Sequence, residues 1–200
     1  MPKSRKDPSV DTKDLLLNVA KGRFARFGYK KTSMDEICKD AQISKKTLYE
    51  VFKTKEDLFV ALFIKEALTA RKFVMDRLRK VEDPLEKIGR FMQVSREYYE
   101  KHPFMVDVLR DQDGLYAPYL KKKYKLFVED GILRIFSDIV KAGIEKGEFK
   151  KVDTDIAAYI IFKLFQAFTY AKTMNYKSGR EKEKREVIEL VEFISKGLSH

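Results

Sequence analysis

The sequence predicts an all-α protein, and three observations carry that reading. Apolar residues recur at spacings of three and four along most of the 200 residues. Helix start signals stand before several of these runs: a short hydroxyl or carboxylate side chain, often with Glu or Asp three residues later. No long alternating stretch bounded by hairpin-turn residues intervenes, so strand content is expected near zero. Hydrophobic residues make up 44%. That suffices for a sizeable core in one medium domain, or in a small domain fused to a larger one.

The first ten residues read as a loose basic arm, with Lys3, Arg5 and Lys6 between Pro2 and Pro8. A first helix is expected after Val10, with Leu15, Leu16, Val19, Ala20, Phe24 and Phe27 on one side and Gly28 as its stop. Ser33 and Glu36 have capping-box spacing and open a short helix with Met34, Ile37 and Ala41 inward. Gln42, Ile43 and Ser44 interrupt it. Ser44 caps a third short helix that turns Leu48, Val51 and Phe52 inward. Thr54 with Asp57 repeats the capping spacing before a helix to about residue 79, with Leu58, Ala61, Leu62 and Leu68 inward.

Asp83-Pro84 starts the next helix, since proline lacks an amide that would go unpaired there anyway. It runs to about residue 101, before Pro103. A shorter helix is expected over 104–110, and Asp111-Gln112-Asp113-Gly114 reads as a turn. Pro118 opens a long helix to about 145, closed near Gly147. Asp153 or Thr154 caps an apolar helix over 156–174, and a last helix spans 181–198. The total is about nine helices. The first three are short, which sets a boundary near Thr54. Residues 1–53 then form the arm and a unit of three helices, and 54–200 form a larger helical unit. The helix after Thr54 belongs to both.

Several function classes fall away on composition. One cysteine forms no internal disulfide and no thiolate cluster. No run approaches the roughly 20 apolar residues that span a bilayer. The opening residues lack an apolar signal segment, so a cytoplasmic location is expected. The two histidines, His102 and His200, lack zinc-site spacing, and no Gly-rich phosphate loop or Gly-x-Ser-x-Gly elbow is present. No enzyme activity, cofactor or metal is expected. The chain carries 42 Lys and Arg against 31 Asp and Glu, a net charge of +11, which makes a polyanion partner plausible. Residues 1–60 hold 14 bases and 9 acids, so the excess is denser at the front without being confined there.

Residues 33–52 turn that charge into a specific expectation. Two short helices joined by a tight turn place the second for insertion into a DNA major groove. Its outward side shows Lys45, Lys46, Thr47, Tyr49 and Glu50. Lysines can donate to guanine edges or phosphates, and threonine can bond or pack on a thymine methyl. Tyr49 suits a phosphate oxygen. Lys55, in the first turn of the following helix, sits where its charge and free amides can face another.

Residues 15–62 resemble the TetR-type transcriptional regulators. The match includes the Phe24-x-x-Phe27-Gly28-Tyr29 end of the first helix, Thr32-Ser33, Ile43-Ser44, Thr47-Leu48-Tyr49, Phe52, and Lys55-Glu56-Asp57-Leu58. The resemblance implies phosphate contacts at Thr32, Tyr49 and Lys55, and base or backbone contacts at Lys45, Lys46 and Thr47. Ser33 and Ser44 join the DNA-facing set, with Lys3, Arg5 and Lys6 as an arm. It implies a homodimer through the last two helices, with Ile160, Leu164, Phe168, Val187, Leu190 and Ile194 as interface candidates, and palindromic operator DNA. It also implies a ligand pocket among the intervening helices, with candidates Phe73, Phe91, Tyr98, Tyr99, His102, Phe104, Tyr116, Phe127 and Phe165. A small apolar or flat effector is expected, with Tyr98 or His102 as a polar handle, or with Glu97 and Asp107 as an acid pair for a cation.

The family commonly has glycine at Lys46, histidine or tyrosine at Glu50, an aromatic at Val51 and alanine at Cys38. The departures at Lys46, Glu50 and Val51 bear on operator sequence rather than on DNA binding. Glu50 could pair with Lys46 or accept from a cytosine amino group. A small buried thiol is expected at Cys38. A repressor released by its ligand is the leading expectation. An activator, a ligand-independent regulator and a helical adaptor that binds no DNA stand as alternatives.

Overall fold

The computed structural model describes residues 8–102, 104, 105, 108, 128–173 and 180–199, with the backbone alone at 8–10, 168–173 and 180–184. Eight helices are named among these: α1 (Pro8–Phe27), α2 (Met34–Ala41), α3 (Lys45–Val51), α4 (Lys55–Leu78), α5 (Pro84–Lys101), α6 (Asp130–Glu145), α7 (Thr154–Thr173) and α8 (Arg180–Leu198). Phe104, Met105 and Val108 are also helical, and no described residue is in a strand. The protein is all-α. No helix among the described residues is long and apolar enough to cross a membrane.

The start signals act as their chemistry requires. Ser33 closes the reciprocal box with Glu36: its amide donates to the Glu36 carboxylate at 2.8 Å, and the Glu36 amide donates to its hydroxyl at 3.3 Å. Thr54 and Asp57 repeat this at 3.1 and 3.0 Å. Asp83 accepts from the Glu86 amide at 2.6 Å. Asp153, rather than Thr154, caps α7 by accepting from the amides of Asp155 and Ile156. Gly28 ends α1 with φ +78°, in the left-handed region that glycine reaches without strain. Gln42 takes φ 54° to end α2. One start differs: α1 begins at Pro8, not after Val10, because proline is compatible with a first helical turn.

Two hydrophobic clusters fill the molecule. The first joins α1, α2 and α3 to the front half of α4 and to Phe104, Met105 and Val108. Its centre is aromatic: Phe59 packs on Phe24, Tyr29 and Phe104 with centroids 5.3, 4.9 and 5.6 Å away. The second joins the back half of α4 to α5, α6, α7 and α8. Tyr99 and Ile132 touch both. Some expected inward residues lie outside. Leu15, Phe27 and Leu68 are exposed, while Leu17, Phe59 and Phe63 are buried. The shift is one residue around each helix. Arg23 and Arg26 shelter the Phe27 ring, with guanidinium carbons 5.3 and 5.0 Å from its centroid.

Gly143 packs directly against Phe149 of the second cluster. A Cβ there would fall 2.2 Å from the buried Phe149 ring. Gly143→Ala is therefore expected to lower stability by about 2–3 kcal/mol. The thermal midpoint should drop by roughly 4–10 °C, measured calorimetrically. An unchanged midpoint would mean that Phe149 swings away freely.

Candidate nucleic-acid interface and effector cavity

Helix α3 is built to present its outer side. Ser44 accepts from the Thr47 amide at 3.1 Å, and their hydroxyls bond at 2.8 Å. Leu48 is fully buried beneath the helix and anchors it on the first cluster. Lys45, Lys46, Tyr49 and Glu50 face solvent, and Thr47 is half-buried. The Lys45 ammonium pairs with Asp35 of α2 at 2.5 Å, and that bond raises its pKa. Among the described residues, the Lys46 and Tyr49 side chains make no hydrogen bond or ion pair, so both are open to a partner. A Lys46–Glu50 pair does not form; Glu50 also points to water.

Two residues expected at phosphates bond within the protein. Thr32 is buried, and its hydroxyl donates to the Gly28 carbonyl at 2.8 Å. The Lys55 ammonium donates to the carbonyls of Tyr29 and Thr32, each at 3.0 Å, and lies 4.2 Å from the Tyr29 ring centroid. The carbonyls that follow the end of α1 attract a cation, just as a helix C-terminus does. Thr32 and Lys55 thus set the α1–α2 turn, and Ser33 and Ser44 set the two helix starts. Cys38 is buried and its thiol is pushed up by that burial, away from the reactive thiolate form. Lys3, Arg5 and Lys6 lie outside the described residues.

A second network holds α1 on α2. Arg23 forks onto Asp40 at 2.6 and 3.4 Å and reaches Glu36 at 2.9 Å. The Ser33 amide and hydroxyl, then Arg23, hold the Glu36 carboxyl below its usual range; Arg23 does the same for Asp40. A carboxyl depressed in the folded state stabilises fully above its unfolded pKa, about 4, and less as pH falls through the folded value. Acid should therefore loosen the head. The thermal midpoint of Arg23→Met is expected to fall less than wild type below about pH 5. Parallel curves would remove this network from acid stability.

The two clusters meet around a cavity of about 40 Å³ between α4, α5 and α6. Ala67 and Met105 line it from the first cluster, and Val74, Phe91 and Ile135 from the second. Of the expected pocket residues, Phe91, Tyr98 and Tyr99 line it. Phe73 instead packs behind Tyr98 at 5.2 Å, and His102 stacks on Tyr98 at 3.9 Å. Phe104 belongs to the head-side aromatic core. Phe165 packs on Phe91 at 5.2 Å, deep in the second cluster. Tyr116, Phe127 and Asp107 lie outside the described residues. Glu97 is exposed and paired with Lys101. Small residues on α4, Ala67 and Ala70, also line the cavity; they carry no sequence signal beyond their size.

The Tyr98 hydroxyl is buried and finds no hydrogen-bond partner among the described residues. Burial, then the charge of Glu66, push its pKa up to about 12, so it stays a protonated donor. Burial and Lys21 lower the pKa of His102, against the opposing charge of Glu66.

The last two helices leave part of their apolar surface uncovered. Ile156, Tyr159 and Ile160 of α7 are exposed, with Ile188 and Phe193 of α8, the last at 67%. Among the expected interface residues Ile160 is on this face, and Leu164 and Leu190 are half-buried. Val187 and Ile194 are not on it: they are buried in the protomer's own second cluster. The Phe168 side chain lies outside the described residues. Tyr159, Ile188 and Phe193 went unread because each shares a helix with stronger inward signals.

A short, capped and exposed helix seated across a second one defines a helix-turn-helix DNA-binding protein. Residues 16–62 match the family model described as bacterial regulatory proteins, tetR family. The HTH-type transcriptional regulator QacR of Staphylococcus aureus is 36% identical over 172 residues, covering 83% of this chain and 90% of that protein. The chain belongs to the TetR family and is a DNA-binding transcriptional regulator. Its fold matches the fatty acid degradation regulator FadR of Bacillus halodurans with TM-score 0.76, at 21% identity over 98% of this chain and 100% of that one. It also matches FadR of Bacillus subtilis in complex with stearoyl-CoA with TM-score 0.75, at 22% identity over 92% of this chain and 98% of that one.

Proposed function

We propose that the protein is a homodimeric repressor that grips a palindromic operator with two α3 helices and is released by a small apolar or aromatic ligand. The open Lys46 and Tyr49 beside Lys45 and Thr47, on a helix held rigid by its cap, carry the reading. In this reading Lys46 and Tyr49 hold phosphates, Thr47 meets base edges, and Lys45 trades Asp35 for DNA. Thr32, Ser33, Ser44 and Lys55 support those contacts from behind. Residues 1–53 form the reading unit and 54–200 the regulatory unit, with α4 shared because its front half packs in the first cluster. The uncovered apolar face of α7 and α8 supports a two-fold mate, which also suits a palindrome.

The largely apolar cavity, with Arg71 and Ser95 also on its wall and the Tyr98 hydroxyl unsatisfied among the described residues, supports a ligand of apolar body and at least one acceptor. Its volume favours a second reading as well. About 40 Å³ is well short of the roughly 150 Å³ that admits benzene, so a regulator without a ligand needs no opening of the body. Footprinting of the DNA upstream of the protein's own gene tests the first claim. Complete absence of protection by folded protein at low salt would reject it. Adding aromatic and aliphatic compounds to the footprint then separates the two readings, since release occurs only in the first.

A further inference from the structure

Glu66 is the one charged residue among the buried described residues, where its polar company is Thr32 and Ser95. It sits on α4, the helix that head and body share, beside Ala67 at the end of the stretch that packs in the first cluster, and its Oε2 pairs at 2.7 Å with the ammonium of Lys21 on α1, in the head. One turn further along α4, Ala70 lines the cavity, and Tyr98 forms part of the same wall. The Tyr98 hydroxyl, buried and without a hydrogen-bond partner among the described residues, feels the charge of Glu66, and His102 stacks on the same ring. An ion pair between α1 and α4, an empty space and an unsatisfied donor therefore adjoin near the junction of the two clusters.

Apolar contact between α1 and α4 is non-directional and tolerates sliding. A buried charge pair does not, because moving Lys21 away leaves Glu66 uncompensated. The neighbouring pair, Lys65 with Asp14 at 3.0 Å, is more exposed and constrains less. Tyr98 supplies the competitor. An occupant of the cavity that pushes its ring toward Glu66 gives the hydroxyl an acceptor and weakens the hold on Lys21.

We propose that Lys21 and Glu66 are positioning residues that set the head against the body for DNA binding, and that the Tyr98 hydroxyl is the group through which an occupant of the cavity releases them. This rests on the reading of a ligand-responsive dimer, and the test separates the two.

The probes are two duplexes from the footprinted DNA, one with both half-sites and one with a single half-site. Replacing the pair by Lys21→Met with Glu66→Met leaves no unpaired charge. The double variant is expected to bind the two-half-site duplex about tenfold or more weakly, and the single half-site within about twofold of wild type. Damage to the recognition helix would weaken both duplexes equally. Should that variant fail to fold, the exchange Lys21→Glu with Glu66→Lys serves: recovery of binding lost in Lys21→Glu alone supports the inference, and no recovery overturns it.

Ala70→Leu serves as a built-in occupant. It is expected to weaken binding to the two-half-site duplex by about tenfold, and Tyr98→Phe in the same chain to restore most of that. Unchanged two-half-site binding by the folded double methionine variant overturns the inference, as does an Ala70→Leu defect that persists without the hydroxyl. Wild-type protein that binds the two duplexes equally well overturns the dimer reading itself.

Discussion

Changing Lys45 and Lys46 together to alanine is expected to weaken binding to every duplex and to flatten its salt dependence. Each ammonium that neutralises a phosphate contributes about 0.9 to the slope of log affinity against log salt. A dimer brings four such groups from these two positions. Wild type should then lose roughly a hundredfold more affinity than the variant between about 50 and 200 mM salt. The effect is large because both lysines stand in solvent on a helix whose direction is set by the buried Leu48 and the Ser44 cap. It is also general, since a charge contact carries no base information. Tyr49→Phe should weaken binding across sequences as well, roughly tenfold per head, but leave the slope alone because the lost hydroxyl is neutral. Thr47→Ala should instead reorder affinities on a panel of operator variants. Titrations at several salt concentrations measure all three. Equal slopes for wild type and the double variant would remove both lysines from the phosphate contacts, and a uniform effect of Thr47→Ala would remove it from base reading.

The parts of this site that were legible in the sequence are those governed by local chemistry. Ser33, Ser44, Thr54 and Asp83 declare helix starts because a cap acts within three residues of itself. Direction at longer range was not legible. Lys55 has the right charge for a phosphate, yet carbonyls 23 and 26 residues earlier draw its ammonium inward. Thr32 likewise turns its hydroxyl back to Gly28. Neither choice leaves a trace in spacing. The cavity shows the same limit. Periodicity marks Phe91, Phe104 and Phe165 alike as inward, but not which cluster each enters or where a void remains between clusters. Lys21 and Glu66 are 45 positions apart and look like ordinary solvated charges, and only the fold makes Glu66 a buried one.

The other large expected effect concerns the apolar face of the last two helices. Ile160→Asp with Phe193→Asp is expected to convert a dimer into a monomer, read as one chain's mass instead of two by sedimentation. Both side chains are mostly in solvent in the protomer, at 52% and 67% exposure. Carboxylates there meet water in the single chain and leave its core alone. In a two-fold interface they meet apolar surface, and two-fold symmetry places two copies of each there. Every unpaired carboxylate so buried carries a penalty of several kcal/mol, about enough together to dissolve an ordinary interface. Operator affinity should fall by more than about a hundredfold, since each head then binds alone, while single half-site binding is nearly retained. The contrast lies on the opposite side of α8, at the residues adjacent to Ile188 and Phe193. Val187→Asp and Ile194→Asp place the same charge in the protomer's own second cluster. They should unfold the body rather than divide a dimer, lowering the thermal midpoint of whatever species is present. A sedimenting mass unchanged by the first pair would move the dimer interface off this face. A folded monomer from the second pair would reverse the assignment of inner and outer sides of α8.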